Sequence, residues 1–417
     1  MHVLLATFGT RGDVQPMLAL ALALGARGHT ATIAGPPDFA EWAGRLGVTY
    51  ASVGESIGAL LRENVDERGE SSQLRGARVI RRWFCSHYAP LTPLVEAADV
   101  VFGTGLTSAP LDLAEKFGRR FHLLMFCPGM IPSAEHPSFV FRNQRLPAWV
   151  NRLSHRLVQL GVDLGMRPFI DVERKKLGLG RSPKASERLP YQNLVVACEP
   201  ALGPLPRDLR ADRWVLQPGA FLFDDGAPLE ARVEAFLNRG APPVYVGFGS
   251  MVDVDARATH AWVLEAARQA GVRVVLLGPA PSEDQVVLTV TSANHQALFP
   301  RCAAVVHHGG AGTTMTAARA GVPQVVAPHE VDQFYWAERL ARLGVAGPAV
   351  KARRRRGPEL VAALRAVVED AGLRERARKL KADLREDGVA RMVAALERPL
   401  NAADRADDPN RSGRIAS

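Results

Sequence analysis

The sequence predicts an α/β protein of two doubly wound, parallel-sheet, Rossmann-like halves facing a cleft. Three observations carry this expectation. A chain of 417 residues exceeds what one ordinary core accommodates and fits two domains. Short β-branched or apolar runs alternate with helical stretches through both halves, the pattern of a parallel sheet covered on both faces. An irregular, Pro-rich stretch beginning around Pro200–Pro206 interrupts that alternation midway.

In the first half, Val3–Phe8 predicts a strand, Val14–Ala26 a helix, Thr30–Ala34 a strand and Phe39–Leu46 a helix. Val100–Gly103 and His122–Phe126 predict strands around a helix at Ser108–Phe117, and Leu194–Cys198 the last strand of this half. In the second half the predicted strands are Val244–Phe248, Val274–Leu277, Ala303–His307 and Gln324–Ala327. The predicted helices there are His260–Ala270, Thr313–Ala320 and Asp332–Leu343. The expected boundaries are 1–205 for a first domain, 206–240 for a linker and 241–400 for a second domain, its last helix free to pack back on the first. The polar tail 401–417 is expected to be disordered. A ligand cleft belongs between the halves, at the carboxyl ends of the strands. Gly76–Tyr88 and Ser154–Val172 predict amphipathic helices whose apolar side chains serve core packing or, alternatively, line an apolar pocket; a membrane contact is a weaker reading for Gly76–Tyr88.

Composition narrows the class. With 47% hydrophobic and 23% charged residues the chain is globular, and no apolar run approaches the roughly 18–20 residues of an integral membrane segment. Met1–Ala6 reads as a strand and not as a signal peptide, so a cytoplasmic protein is expected. The four cysteines, Cys85, Cys127, Cys198 and Cys302, form no C-x-x-C pair, which argues for reduced thiols and no zinc cluster. The net charge of +9 comes with no nucleic-acid-binding signature, and the basic run Lys351–Arg356 reads as a solvated loop before a helix. Positive charge favours an anionic ligand at long range.

The chemistry concentrates in Val305-Val306-His307-His308-Gly309-Gly310-Ala311-Gly312-Thr313-Thr314. A strand ends there in a glycine-rich turn, and a helix starts with free backbone N–H groups aimed at one point, an anion site. Strand alternation buries His307 and leaves His308 as the candidate phosphate ligand. Asp332-Gln333, after Pro328-His329-Glu330-Val331, supplies acceptors and donors suited to vicinal sugar hydroxyls, although Asp at a helix start is often only an N-cap.

HHGGAGTT followed by AGVPQVVAPHEVDQFYWAERLARLGV resembles the donor signature of the GT-B glycosyltransferases, specifically family 1, which includes antibiotic and sterol glycosyltransferases. That resemblance implies a GT-B fold and a UDP- or TDP-sugar as co-substrate, with no cofactor and no metal. It implies that His308, Gly310, Gly312, Thr313 and Thr314 bind the donor diphosphate, with Ser250 of VYVGFGSM and Thr10 assisting. It further implies that Asp332 and Gln333 hold the transferred sugar, glucose or a deoxysugar, and that Ala293 and His295 lie near base and ribose. Asn294 stands where many relatives have proline. Phe8-Gly9-Thr10-Arg11-Gly12-Asp13-Val14-Gln15-Pro16 resembles the acceptor-side loop of bacterial glycopeptide, macrolide and sterol glycosyltransferases, which implies Asp13 as general base, inversion at the anomeric carbon and a hydrophobic polyketide, macrolide, glycopeptide or sterol acceptor. A monomer or dimer is expected.

Asp13 has a structural alternative, as N-cap of a helix that tolerates Pro16 because it falls in the first turn. A helix N-terminus is also expected to lower its pKa and weaken it as a base. Three other readings stand beside the transferase. GTRGDVQP lacks the G-x-G-x-x-G spacing of an NAD enzyme. An epimerase or hydrolase of the same fold would need no acceptor pocket, and a catalytically silent helper would not need an intact donor motif.

Overall fold

A computed structural model describes residues 1–63, 73–105, 108–188, 193–209, 214–224, 226–248, 256–351 and 356–398. Ser250, residues 352–355 of the basic run and the 401–417 tail lie outside the described residues.

Seven strands form the first sheet: β1 (His2–Ala6), β2 (Thr30–Gly35), β3 (Thr49–Ser52), β4 (Val100–Thr104), β5 (Arg120–Met125), β6 (Leu194–Val196) and β7 (Val215–Leu216). Their order is β3-β2-β1-β4-β5-β6-β7, and every pairing is parallel. The second sheet contains β8 (Val244–Gly247), β9 (Val274–Leu277), β10 (Ser282–Glu283), β11 (Val287–Val290), β12 (Ala304–His307) and β13 (Gln324–Val326), in the order β10-β11-β9-β8-β12-β13. It is parallel apart from the antiparallel β10–β11 pair. Strands covered on both faces are apolar throughout, and Val3, Leu4 and Leu5 are all fully buried.

Two expectations change. Leu194–Cys198 does not supply the last strand of the first half, because the two-residue β7 pairs beside β6. The first helix spans Arg11–Ala26, three residues longer at its start than expected, which moves Pro16 out of the first turn into the second. There the missing N–H deprives the Gly12 carbonyl of its intrahelical donor.

The topology locates the cleft. Strand order reverses between β1 and β4 in the first sheet and between β8 and β12 in the second, and ligands of open α/β sheets bind outside the strand carboxyl ends at such points. The loop holding Asp13 follows β1, and HHGGAGTT follows β12. The halves are joined by packing as well as by chain. One apolar cluster holds Met125, Cys127 and Leu202 of the first half together with Met315, Tyr335 and Trp336 of the second. The last helix, Gly388–Glu397, returns to the first half, where Met392, Val393 and Leu396 pack with Val14, Met17 and Leu18. Glu199, fully buried, accepts from the Ala220 and Arg385 N–H groups and from Arg319, tying three segments to one carboxylate.

Candidate active site

On the first-half side, Thr10 is the N-cap of the Arg11–Ala26 helix and Asp13 is its third residue, N3. The Asp13 carboxylate folds back to accept from the Thr10 backbone N–H at 2.9 Å, the carboxylate arm of a capping box. Asp13 is therefore not the N-cap. Gly9 makes this conformation possible, since a Cβ there would sit 2.0 Å from Asp13 Oδ2. The expected lowering of the Asp13 pKa is overturned in direction. Burial in the cleft raises it, and the bonds from Thr10 offset that only in part.

On the other side, β12 ends at His307, which is fully buried. Its Nδ1 accepts from the Gly309 N–H at 3.0 Å, so Nε2 carries the proton and donates to Gln324 Oε1 at 2.8 Å. Burial pushes its pKa down to about 3, leaving a neutral ring that shapes the turn. Gly309 has φ +97°, and a Cβ there would meet Val326 at 2.8 Å and the Gln333 backbone at 3.1 Å. Only glycine fits, and the phosphate-type turn is thereby pressed against the start of the Gln333–Arg342 helix.

Gly310 caps the Ala311–Ala320 helix without a side chain, leaving the first N–H groups of that helix with no intrahelical acceptor. Gly312 is exposed and Thr313 half-exposed, whereas Thr314 is fully buried and its hydroxyl has no hydrogen-bond partner among the described residues. The two threonines thus occupy different environments. The His308 ring folds over Gly310, whose Cβ would lie 2.5 Å from Nε2. Burial lowers its pKa to about 4, so the ring is neutral in the unliganded protein.

Asp332 precedes the Gln333–Arg342 helix as its N-cap, but its side chain makes no cap bond. Burial and then the charge of Asp13 raise its pKa to about 6, which brings the two carboxylates into one electrostatic unit across the cleft. Gln333 Oε1 accepts from the His329 and Glu330 N–H groups at 2.7 and 3.2 Å. That fixes the amide orientation and leaves its NH₂ as the group available to a ligand. Val331, beside Asp332, has φ +43°, a left-handed conformation that strains a β-branched residue. Val331→Gly is expected to raise stability by about 1 kcal/mol while lowering transfer activity through a less rigid Asp332. Paired urea melts and initial rates would test this, and a destabilised variant would contradict it.

His295 stacks on Phe299 at 4.5 Å and bonds the Tyr245 hydroxyl at 2.8 Å. Ala293 packs at the margin of the same apolar cluster. Asn294 caps the following helical turn by accepting from the Gln296 and Ala297 N–H groups, and its amide nitrogen donates to the Ala227 carbonyl and to Asp224. It therefore closes the turn with a side chain and holds Asp224 and Ala227 to it. Arg11 lies over the Trp42 ring at 4.8 Å; burial and then the charge of Arg11 lower the pKa of His295 to about 4. His87, fully buried and stacked on Phe8 at 3.9 Å, is shielded from the cleft.

Sequence reasoning offered pocket lining only as an alternative for two helical stretches and did not place the pocket itself. An apolar cavity of about 130 Å³ opens at the carboxyl ends of β4 and β5, lined by Met125, Met130, Phe139, Val158 and Val162, with His155 and Gln159 as polar points. Helical periodicity flagged the Ser154–Val172 stretch, which the structure divides into helices Ala148–Gly165 and Arg167–Lys176. The core-packing expectation fails for the first of these. The helix buries the polar Asn151, Ser154 and His155, while Trp149, Leu153, Leu157, Leu160 and Leu164 are exposed. Of the two alternatives, the pocket-lining one describes its inner side. In the first stretch, the helix is Gln73–Ser86, with Val79 buried and Ile80 exposed.

Residues 3–129 match a family model described as the glycosyltransferase family 28 N-terminal domain. Residues 280–396 match the erythromycin biosynthesis protein CIII-like C-terminal domain. The vancomycin aglycone glucosyltransferase of Amycolatopsis orientalis is 34% identical over 363 residues, covering 83% of this chain and 85% of that protein. A dTDP-epi-vancosaminyltransferase of the same organism is 32% identical over 361 residues, covering 83% and 84%. Among solved structures, the glycosyltransferase of kitacinnamycin superposes with a TM-score of 0.73 at 20% identity, over 95% of this chain and 98% of that one.

Proposed function

Because this chain belongs to the GT-B glycosyltransferases that include the glycopeptide enzymes of Amycolatopsis orientalis, we propose that it transfers a hexose or deoxyhexose from a TDP- or UDP-sugar to a hydroxyl of a hydrophobic natural-product or sterol alcohol, with inversion at the anomeric carbon. The observation that carries this reading is the meeting of two switch-point turns in one cleft, a carboxylate held on one side and an open helix N-terminus on the other. The names of the two Amycolatopsis relatives, one acting on an aglycone and one on a dTDP-sugar, support the acceptor and donor classes. The apolar cavity beside the cleft supports an acceptor with a large non-polar body.

In the proposed reaction the acceptor oxygen attacks the anomeric carbon as the bond to the diphosphate oxygen breaks. The hydroxyl proton passes to the Asp13 carboxylate, and the departing diphosphate keeps the electron pair. Negative charge grows on the leaving oxygen, where the N–H groups of Gly312 and Thr313, the Thr313 hydroxyl and the neutral His308 ring supply donors. Asp332 accepts from sugar hydroxyls and the Gln333 NH₂ donates to one. A single attack from the face opposite the diphosphate gives a β-glycoside from an α-linked donor. Charge stabilisation by the helix end makes an added divalent metal unnecessary in this scheme, so chelation is expected to leave the rate unchanged.

The test is release of nucleoside diphosphate from a TDP-sugar with and without a panel of hydrophobic alcohols and phenols, with mass detection of the glycoside. Release without acceptor would replace this reading with a hydrolase or epimerase; no release across the panel would favour a silent binding protein. His308→Ala is expected to weaken nucleoside diphosphate binding by about 10-fold or more, the loss of one hydrogen bond to a charged group, as measured by calorimetry. Unchanged affinity would remove His308 from the diphosphate site.

A further inference from the structure

The Ala148–Gly165 helix is inverted with respect to the usual rule. Its buried residues are Asn151, Ser154 and His155, and its outward residues include Trp149, Leu153, Leu157, Leu160 and Leu164 at 68, 44, 52, 52 and 71% exposure. The polar groups are held inward by specific bonds. Asn151 Nδ2 donates to the Ala134 carbonyl, Ser154 Oγ accepts from the Ser138 N–H, and a His155 ring nitrogen meets the His136 carbonyl. The inversion is thus built into the fold and is not a frayed end.

At 100° per residue the five apolar side chains fall within an arc of roughly 80°, a stripe roughly 22 Å long. Arg152 and Arg156, both exposed, run along one edge of it. The helix carries one carboxylate, Asp163, which lies on the same edge and accepts the Ala185 N–H. Val140 and Val172, outside this helix, are exposed as well. A continuous apolar stripe of this size on a water-facing surface marks an interaction site.

We propose that this face docks on an anionic lipid bilayer, with the helix lying in the interface plane. The chemistry selects that occupant. Leucines and a tryptophan on one arc beside arginines match a surface whose phosphates lie next to hydrocarbon: the apolar arc enters, and the guanidinium groups stay at headgroup level. The net charge of +9 draws the whole chain to the same surface. The inner side of this helix supplies His155, Val158, Gln159 and Val162 to the cavity, so a docked enzyme holds its apolar pocket one helix away from the hydrocarbon. Docking itself is independent of the acceptor reading, because it is measured with neither donor nor acceptor present.

The experiment is co-sedimentation of the full chain with phosphatidylcholine vesicles, with and without 30 mol% phosphatidylglycerol (about one lipid in three). Binding is expected to the anionic vesicles and to weaken with salt. Leu157→Glu with Leu160→Glu, and separately Arg152→Glu with Arg156→Glu, should each reduce partitioning at least ~10-fold, given about fivefold for each arginine near an anionic surface. All four side chains are exposed, so the melting temperature should stay at the wild-type value, and either pair decides the matter if the other misfolds. Failure of the wild type to bind, or binding untouched by both pairs, overturns the proposal. So does a solution dimer that the leucine pair converts to monomer without any vesicle binding.

Discussion

Asp13→Ala is expected to lower the transfer rate constant by about 10²–10⁴-fold, the usual contribution of a positioned general base, and to leave nucleoside diphosphate affinity nearly unchanged. The position matters because the carboxylate has little freedom. It is folded onto the Thr10 N–H, with Gly9 leaving the only space that allows it. Burial raises its pKa, which makes the ionised group a better proton acceptor than a carboxylate at an ordinary helix N-terminus. A base must be ionised to act, so the rate is expected to fall as pH drops, with an acidic limb above the ordinary carboxylate range. Burial and then the charge of Asp13 push the Asp332 carboxyl up to about 6, so a second step of the limb is expected from Asp332 and should be absent in Asp332→Asn. Asp13→Ala also removes a capping-box bond and a penalised buried charge, which act on stability in opposite directions. Rates measured well below the melting temperature separate catalysis from stability. A variant that keeps its rate there sinks the assignment of the base.

Asp332→Asn is expected to have opposite effects on stability and activity. In the folded protein burial and Asp13 penalise the Asp332 carboxylate, raising its pKa from 3.8 to about 6. A raised carboxyl pKa means that the folded state binds the proton more tightly, so stability falls as pH rises between those values and the deficit persists above them. Discounted for partial exposure, the deficit is about 2 kcal/mol. The asparagine variant should therefore be more stable than wild type by about that amount at pH 8, and the difference should vanish near pH 4. Denaturant melts at the two pH values measure it, and a variant less stable at pH 8 contradicts the electrostatic account. The same substitution removes a charged acceptor from the sugar and should reduce kcat/KM by about 10–100-fold.

Elements whose signal is local were legible in the sequence. β9 is found at Val274–Leu277 as expected, and β1, β4 and β12 lie within a residue or two of their predicted bounds, because buried parallel strands are continuous β-branched runs. The turn of HHGGAGTT and the burial of His307 were legible for the same reason: glycines and strand alternation are written one residue at a time. Features created by partners distant in the chain were not. β7 has two residues and exists only because β6 offers it an edge. The rise in the Asp13 pKa comes from burial by the assembled cleft, which outweighs the local helix end that suggested the opposite. Gln333 reads as a sugar ligand with two functional ends, yet loop closure consumes its oxygen through the His329 and Glu330 N–H groups. The inside-out Ala148–Gly165 helix escaped for a related reason. Periodicity reports that an apolar arc exists, and only the inward bonds of Asn151, Ser154 and His155 show which way it faces.

The return of Gly388–Glu397 to the Arg11–Ala26 helix has a consequence for how this protein can be recombined. Along the chain the second sheet is an insertion: the first half begins, departs after β7, and is completed by the last helix. A chimera that exchanges everything after β7 would import a foreign closing helix against Val14, Met17 and Leu18 and leave their native cover behind. The exchangeable module instead has two seams, one between β7 and β8 and one between residues 383 and 387, where the chain crosses back. Glu199 sits near both seams, bonded to Ala220 on one side and to Arg385 on the other. Grafts that respect the two seams and keep that carboxylate's partners should inherit a closed first half, whichever donor specificity they carry.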